Sequence, residues 1–174
     1  MPIVWTDDLT AVDWDELSVL YRIAPLGNKT PADLALVFGN SMFRIFVYDD
    51  GHLVGAGRVL ADGRDCAYLC DIAVHPDCQG QGLGRQIIER LLARCGSHRK
   101  IILYAVPGKE AFYERLGFRR MTTAMAIFED QTRAHERGYL TAPLAALAPD
   151  LSASWIIRAK PAVLSRLSTG GRDA

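Results

Sequence analysis

The chain has 174 residues, within the roughly 100–200 of one domain, and a chain of that size buries about 70% of its unfolded surface without needing disulfides or metals as staples. Its 49% hydrophobic and 23% charged residues, with 15 Gly and 8 Pro, exclude collagen-like, coiled-coil and largely disordered classes. Its 20 Lys and Arg balance 20 Asp and Glu, so no net charge draws it to nucleic acid. No apolar run approaches the roughly 18 residues of a membrane span, and the opening MPIVWTDDLT lacks the basic segment and apolar core of a secretory leader. A cytoplasmic globular domain with no nucleic-acid or membrane partner is expected. Cys66, Cys70, Cys78 and Cys95 form no C-x-x-C pair and no zinc pattern, so they read as reduced packing residues, and no metal is expected.

Pro2–Thr6 is short and apolar, an edge strand. Asp13 is a helix N-cap with Glu16 three residues on, a capping box, and Trp14, Leu17, Leu20, Tyr21 and Ala24 follow at helical spacing. That helix stops before Pro25 and Gly27. Thr30-Pro31 opens a second, with Leu34, Val37 and Phe38 as its buried stripe and Gly39-Asn40 as its end. The period then changes. Residues 42–48 alternate as a strand, Asp49-Asp50-Gly51 turns, His52–Leu60 returns, Asp62-Gly63 turns again and Ala67–Val74 makes a third strand. These three form an antiparallel meander. Residues 82–95 carry a helical stripe, Ile101–Tyr104 is a short buried strand, and the strand–helix–strand unit predicts a parallel crossover. A short helix covers about 109–115, and Thr122–Phe128 reads as a final strand. After Asp130 the chain changes character, with six Lys or Arg against three Asp or Glu and three prolines. Short helices are predicted around Pro143–Leu147 and Pro161–Leu167.

The segment richest in chemistry runs from Asp71 to Arg85. A strand ends at Val74, a glycine-rich turn follows, and a helix begins at about Leu83. Glycines let backbone N–H groups converge at the positive end of a helix, which makes an anion cradle suited to a phosphate or diphosphate. A Walker A loop is excluded because Arg85-Gln86 follows Gly84, and the spacing of Gly80, Gly82 and Gly84 does not fit the dinucleotide fingerprint.

Gln79-x-x-Gly82-x-Gly84 after Val-x-Pro resembles the acyl-CoA signature of the GNAT superfamily of N-acetyltransferases, and Phe112–Phe118 (FYERLGF) resembles its second signature. The resemblance spans roughly residues 3–128. Within it, Asn40–Phe118 is most similar to small bacterial enzymes grouped with arylalkylamine acetyltransferases. It implies an α/β (α+β) fold: a mixed, mainly antiparallel sheet, splayed where acetyl-CoA enters as co-substrate, and flanked by about four helices. Residues 1–130 then form the acetyltransferase domain and 131–174 a C-terminal extension.

The resemblance also implies roles. The backbone from Gln79 through Gly80, Gln81, Gly82, Leu83 and Gly84 to Arg85 holds the CoA diphosphate, and Ile72, Ala73 and Val74 pair with the pantetheine arm as an added strand. The same strand end offers an N–H to the oxyanion of the tetrahedral intermediate. Tyr113 is the general acid for the departing thiolate. Asp71 is the leading base, because burial inside an apolar strand raises a carboxyl pKa; the alternative is a carboxylate satisfied by a neighbour such as Arg58. His75 is a proton relay or a solvated loop residue. One departure stands out: the Asn that many members carry before the second signature is Val106 here, and Lys109 replaces a small residue.

The loop Ile23–Asn28, on the acceptor side in this superfamily, is apolar and has no acidic cluster, which favours a small, largely apolar or aromatic primary amine over a polyamine. Phe43, Phe46 and Tyr48 are candidate wall residues. The expected activity is acetyl transfer from acetyl-CoA by direct attack; the alternatives are a protein N-terminal or lysine acetyltransferase, or a non-catalytic acyl-CoA sensor. Trp155-Ile156-Ile157 is too apolar for a solvated linker, so a homodimer to which residues 131–168 contribute is expected.

Overall fold

The computed structural model describes residues 2–141. The chain divides into two compact units, Met1–Ala124 and Met125–Ala174. The first holds a five-stranded sheet in the order β1 (Val4–Thr6), β2 (Phe43–Asp49), β3 (His52–Ala61), β4 (Cys66–Val74) and β5 (Lys100–Ile102). All neighbours are antiparallel except β4 and β5, which are parallel and joined through α3 (Leu83–Arg94). Helices α1 (Trp14–Ile23) and α2 (Pro31–Gly39) precede the meander, and α4 (Glu110–Glu114) follows β5.

Local chemistry sets the helix ends. The Asp13 carboxylate accepts from the N–H groups of Asp15 and Glu16, and the Thr30 hydroxyl accepts from that of Asp33, ahead of Pro31 at the first turn. The capping box is only half formed. Glu16 does not reach back to Asp13; its carboxylate accepts the N–H of Leu53 at 2.8 Å and ties α1 to the start of β3.

The sheet carries a core on each face. On one, Leu83, Ile87, Ile88 and Leu91 of α3 pack on Ile45, Val47, Val59, Ala67 and Leu69. On the other, Leu17, Leu20 and Tyr21 of α1 with Leu34 and Phe38 of α2 cover Phe46, Leu53, Ala56 and Ala73. Close approach of α3 depends on Gly57: a Cβ there would stand 2.7 Å from Ile72 Cδ1 and 2.9 Å from Ile87 Cγ2. Of the three aromatics read as acceptor walls, Phe46 is fully buried in the core, while Tyr48 and Phe43 are partly buried and pack against the α1–α2 and α3 cores.

Two segments differ from the sequence reading. Thr122–Phe128 forms no strand: its backbone is irregular, and Met125 is 97% and Ile127 72% exposed. In the second unit, Asp130 caps α5 (Gln131–Glu136) by accepting the N–H of Arg133, and the rings of Phe128 and Tyr139 stack at 6.0 Å. The helices read around Pro143–Leu147 and Pro161–Leu167, and Trp155-Ile156-Ile157 with the dimer contact assigned to it, lie outside the described residues.

Replacing Gly57 with Ala should destabilise the chain by about 1–3 kcal/mol through overpacking. Gly39→Ala, where an added Cβ meets nothing within 4 Å, should be neutral or slightly stabilising. Urea midpoints of the two variants check the contrast.

Candidate active site

Between β3 and β4 the register slips. Ala56 pairs with Ala73 and Arg58 with Cys70, so Gly57 alone opposes Asp71 and Ile72. This is a β-bulge, and Asp71 adopts a left-handed backbone with φ of 56°. The extra residue flips the strand's parity. Ala67 and Leu69 face α3 before the bulge; after it Ile72 and Val74 do, while Ala73 turns to α1 and α2.

Three side chains hold the bulge. The hydroxyl of Tyr21, fully buried, donates to the Asp71 carbonyl at 2.6 Å. Lys29 Nζ donates to Asp71 Oδ1, and Arg58 Nε donates to Oδ2 at 2.5 Å. Arg58 also donates to Ser41 Oγ at 3.3 Å, and the Lys29 ammonium lies 4.9 Å from the centre of the Tyr21 ring. Burial pushes the Asp71 carboxyl up, but Lys29 and Arg58 outweigh it, and the group sits below its ordinary value. The raised pKa expected for a base is therefore not found. The two cations sit on the carboxylate itself and favour its charged form at close range. Arg58 was foreseen as a neighbour; Lys29, 42 residues away on the α1–α2 loop, was not. Burial takes the neighbouring Cys70 thiol up to about 11, so it stays protonated at neutral pH and is a poor nucleophile.

β4 pairs with β5 only over Cys66–Tyr68. Among the described residues no strand lies beside 69–74 on that side, so Ile72, Ala73 and Val74 present an unpaired edge. At the end of the pairing the rings of Tyr68 and Tyr104 stack, 6.2 Å apart and 16° from parallel. Burial and the neighbouring Tyr104 push the Tyr68 hydroxyl well above the ordinary phenol value. By alternation Tyr68 shares its face with Arg58 and the Asp71 carboxylate. Nothing in the sequence reading pointed to this pair.

β4 runs into a 3-10 turn (Pro76–Cys78) and the glycine loop. Gly80 and Gly82 have φ of 77° and 84°. Gly82 is the N-cap of α3, no side chain caps that helix, and its first turn carries no acidic residue. A Cβ on Gly82 would meet nothing nearer than 4.0 Å, so the space in front of the helix is open. Uncapped N–H groups at a positive helix end fit an anion such as the CoA diphosphate. The amides of Gln79 and Gln81 brace the loop by donating to the carbonyls of Val74 and Asp77 at 3.1 and 3.3 Å. Arg85 pairs with Glu89 at 2.7 Å.

Tyr113 lies on α4 and packs, with Phe112, Ile72 and Val74, against the α3-side core. Its ring meets Phe112 and Phe118 nearly edge-on at 5.1 and 6.1 Å, and burial raises its hydroxyl pKa. Tyr113 and Asp71 thus belong to opposite faces of the sheet. His75 accepts the Asp77 N–H and lines a cleft of about 460 Å³ with Glu16, Ile23, Asp49 and Leu53, on the β3 side of β4 and away from β5. Lys109 and Val106 are exposed. Among the described residues no cluster of three or more His, Cys, Asp or Glu could hold a metal ion, and no helix is long and apolar enough to cross a membrane.

A sheet splayed beside a parallel crossover, with an uncapped helix N-terminus beyond the gap, defines an open α/β architecture with a free strand edge and an anion-compatible turn. Residues 41–120 match the family described as the acetyltransferase (GNAT) domain, so this segment of the chain carries a GNAT acetyltransferase domain. It is similar to serotonin N-acetyltransferase 2, chloroplastic, of Oryza sativa subsp. japonica, 44% identical over 70 residues that cover 39% of this chain and 35% of that protein. The chain spans little more than a third of the length of the first relatives it matches, 35% and 39%. A probable acetyltransferase from Staphylococcus aureus shares the fold at a TM-score of 0.67 and 24% identity, covering 74% of this chain and 99% of that one. So does a Thermoplasma acidophilum N-acetyltransferase in complex with coenzyme A, at a TM-score of 0.56 and 15% identity over 71% and 94% of the two chains.

Two variants test the site. Gly82→Val places methyl groups in the open space before α3 and should weaken acetyl-CoA binding at least about tenfold in calorimetry on the folded variant. Asp71 has a folded-state pKa below its unfolded value, so its contribution to stability is complete above about pH 4 and disappears as the pH falls through the lower folded value. Asp71→Asn should therefore be less stable at pH 7 by about 2–3 kcal/mol. Its thermal midpoint should also fall less than that of the unaltered chain on acidification below about pH 4.

Proposed function

We propose that this chain transfers the acetyl group of acetyl-CoA to the primary amine of a small, largely apolar or aromatic acceptor, by direct attack through a tetrahedral intermediate. The observation that carries the reading is the course of β4, which loses its parallel neighbour after Tyr68 and runs on to Val74, from where a 3-10 turn and the glycine loop lead to an uncapped helix N-terminus. In this arrangement the edge of Ile72, Ala73 and Val74 receives the amides of the pantetheine arm as an added strand, and the loop from Gln79 to Arg85 receives the diphosphate. A strand N–H at the same edge stabilises the oxyanion.

Tyr113 supplies the proton to the departing thiolate. Its burial favours this role, since a phenol whose pKa is raised remains protonated throughout the physiological range. Asp71 anchors the acceptor instead of acting as its base: the ammonium releases one proton to solvent before it attacks, and the attacking nitrogen releases a second to solvent as the intermediate collapses. A carboxylate kept anionic by two cations is a weak base but a strong anchor for an ammonium group. The Tyr68–Tyr104 stack, on the same face as that carboxylate, favours an acceptor with an aromatic body. The partial similarity to an enzyme named for serotonin acetylation is consistent with this class.

CoA release from acetyl-CoA, followed across 2-phenylethylamine, spermidine and peptides with free N-termini, tests the reading. Turnover with the arylalkylamine is expected. Turnover with peptides alone would make the chain a protein acetyltransferase, and acetyl-CoA binding without release to any amine would make it a sensor. Tyr113→Phe should lower kcat about 10²–10⁴-fold while leaving acetyl-CoA affinity near that of the unaltered chain.

A further inference from the structure

The Lys29 ammonium sits in an unusual position for a surface-loop lysine. It rests on Asp71 Oδ1 and over the face of the Tyr21 ring, with 28% of its side chain exposed. A carboxylate and an aromatic face together are the chemistry by which proteins recognise an alkylammonium ion. The acceptor of the proposed reaction, R–CH2–NH3+ at neutral pH, presents the same group as the end of a lysine side chain. The box also lies where the acceptor must arrive, one residue before the Ile72–Val74 edge and on the face of Tyr68.

We propose that Lys29 is a built-in occupant of the acceptor's ammonium site, displaced when the amine binds. The proposal rests on the reading that the acceptor is an amine. The two cations on Asp71 differ in how readily they can leave. Arg58 extends from β3, its side chain is 11% exposed, and it is held by Ser41 as well as by Oδ2. Lys29 belongs to the α1–α2 loop, on a flexible four-carbon stem that can carry its charge into water. Its backbone is pinned by Ser18, whose hydroxyl donates to the Lys29 carbonyl at 2.7 Å, so the side chain can swing out while the loop stays in place. Exchange of one ammonium for another leaves Asp71 paired throughout and avoids the penalty of stripping a half-buried carboxylate. The tethered lysine acts as a competitor of high effective concentration, and the apparent affinity for the amine is reduced by the fraction of time the site is self-occupied.

Removing the competitor should therefore improve amine binding. Lys29→Met keeps the stem and removes the charge, and should lower the KM for 2-phenylethylamine about tenfold while the KM for acetyl-CoA moves much less. Lys29→Arg keeps a cation in a form that grips a carboxylate with two bonds, and should raise the amine KM or leave it unchanged. A direct readout needs no turnover. The Lys29 ammonium resonance in 15N-lysine NMR, assigned by its loss in Lys29→Arg, should be protected from exchange in the free protein and should collapse toward that of a solvated lysine on titration with 2-phenylethylamine. Displacement of the signal without CoA release would leave the inference standing and overturn the acetyltransferase reading. Turnover with an unmoved signal, or an amine KM that is raised or unchanged in Lys29→Met, would overturn the inference and leave the reading standing. A chain showing neither turnover nor displacement would lose both.

Discussion

A single left-handed residue in the middle of β4 organises most of what surrounds the candidate site. A side chain larger than glycine at φ near +56° is held against a cost of order 1 kcal/mol or more, so something must stabilise Asp71 there. Tyr21 bonds its carbonyl from α1, while Lys29 and Arg58 bond its carboxylate from the α1–α2 loop and from β3. In return the bulge turns Ile72 and Val74 to α3 and Ala73 to α1, so that a strand ending at the cradle is buried on both faces. A regular strand of the same composition would put Asp71 and Ala73 under α3 and leave Ile72 pointing at the acceptor side.

The same clamp decides the electrostatics. One carboxylate between two cations has its charge fixed, whereas a carboxylate alone in an apolar strand titrates upward. The structure divides the labour accordingly. Tyr113, across the sheet, has a raised pKa, because burial alone acts on its phenol and keeps its proton in place. The group with a lowered pKa is Asp71, where a permanent negative charge can meet an ammonium. The sign of each shift follows from whether a formal charge of opposite sign lies within hydrogen-bond reach.

Much of the framework was legible because it is set by short-range chemistry. Asp13 and Thr30-Pro31 begin helices wherever they precede an amphipathic run, Asp50-Gly51 closes a hairpin with positive φ at both residues, and the glycines before Leu83 announce a turn into a helix N-terminus. The acetyltransferase signatures were legible for the same reason, since each lies within one local segment. What escaped depends on pairing across the chain. No local pattern says that two residues of β4 will oppose Gly57, that Lys29 in an Asn-Lys-Thr triplet will reach Asp71, or that Tyr68 and Tyr104 will stack. Thr122–Phe128 shows the converse error, because strand propensity was present and no strand formed. The cap at Asp130 is equally local, since a helix-compatible run follows it.

Helix α1 connects these parts mechanically. Glu16 fixes it to the N–H of Leu53 and Tyr21 fixes it to the carbonyl of Asp71, five residues or about 7.5 Å further along the axis. Each bond joins a helix side chain to sheet backbone, so neither depends on the identity of the sheet residue it meets. A rod pinned at two points to two strands cannot slide or rotate without breaking one of the bonds, and Tyr21 is too deeply buried to exchange its partner for water. The loop that carries Lys29 leaves the far end of this rod and is tied back to it through Ser18. Within that frame the Lys29 ammonium is the partner of Asp71 carried by a loop and a long flexible stem, which is the property a displaceable occupant of the site requires.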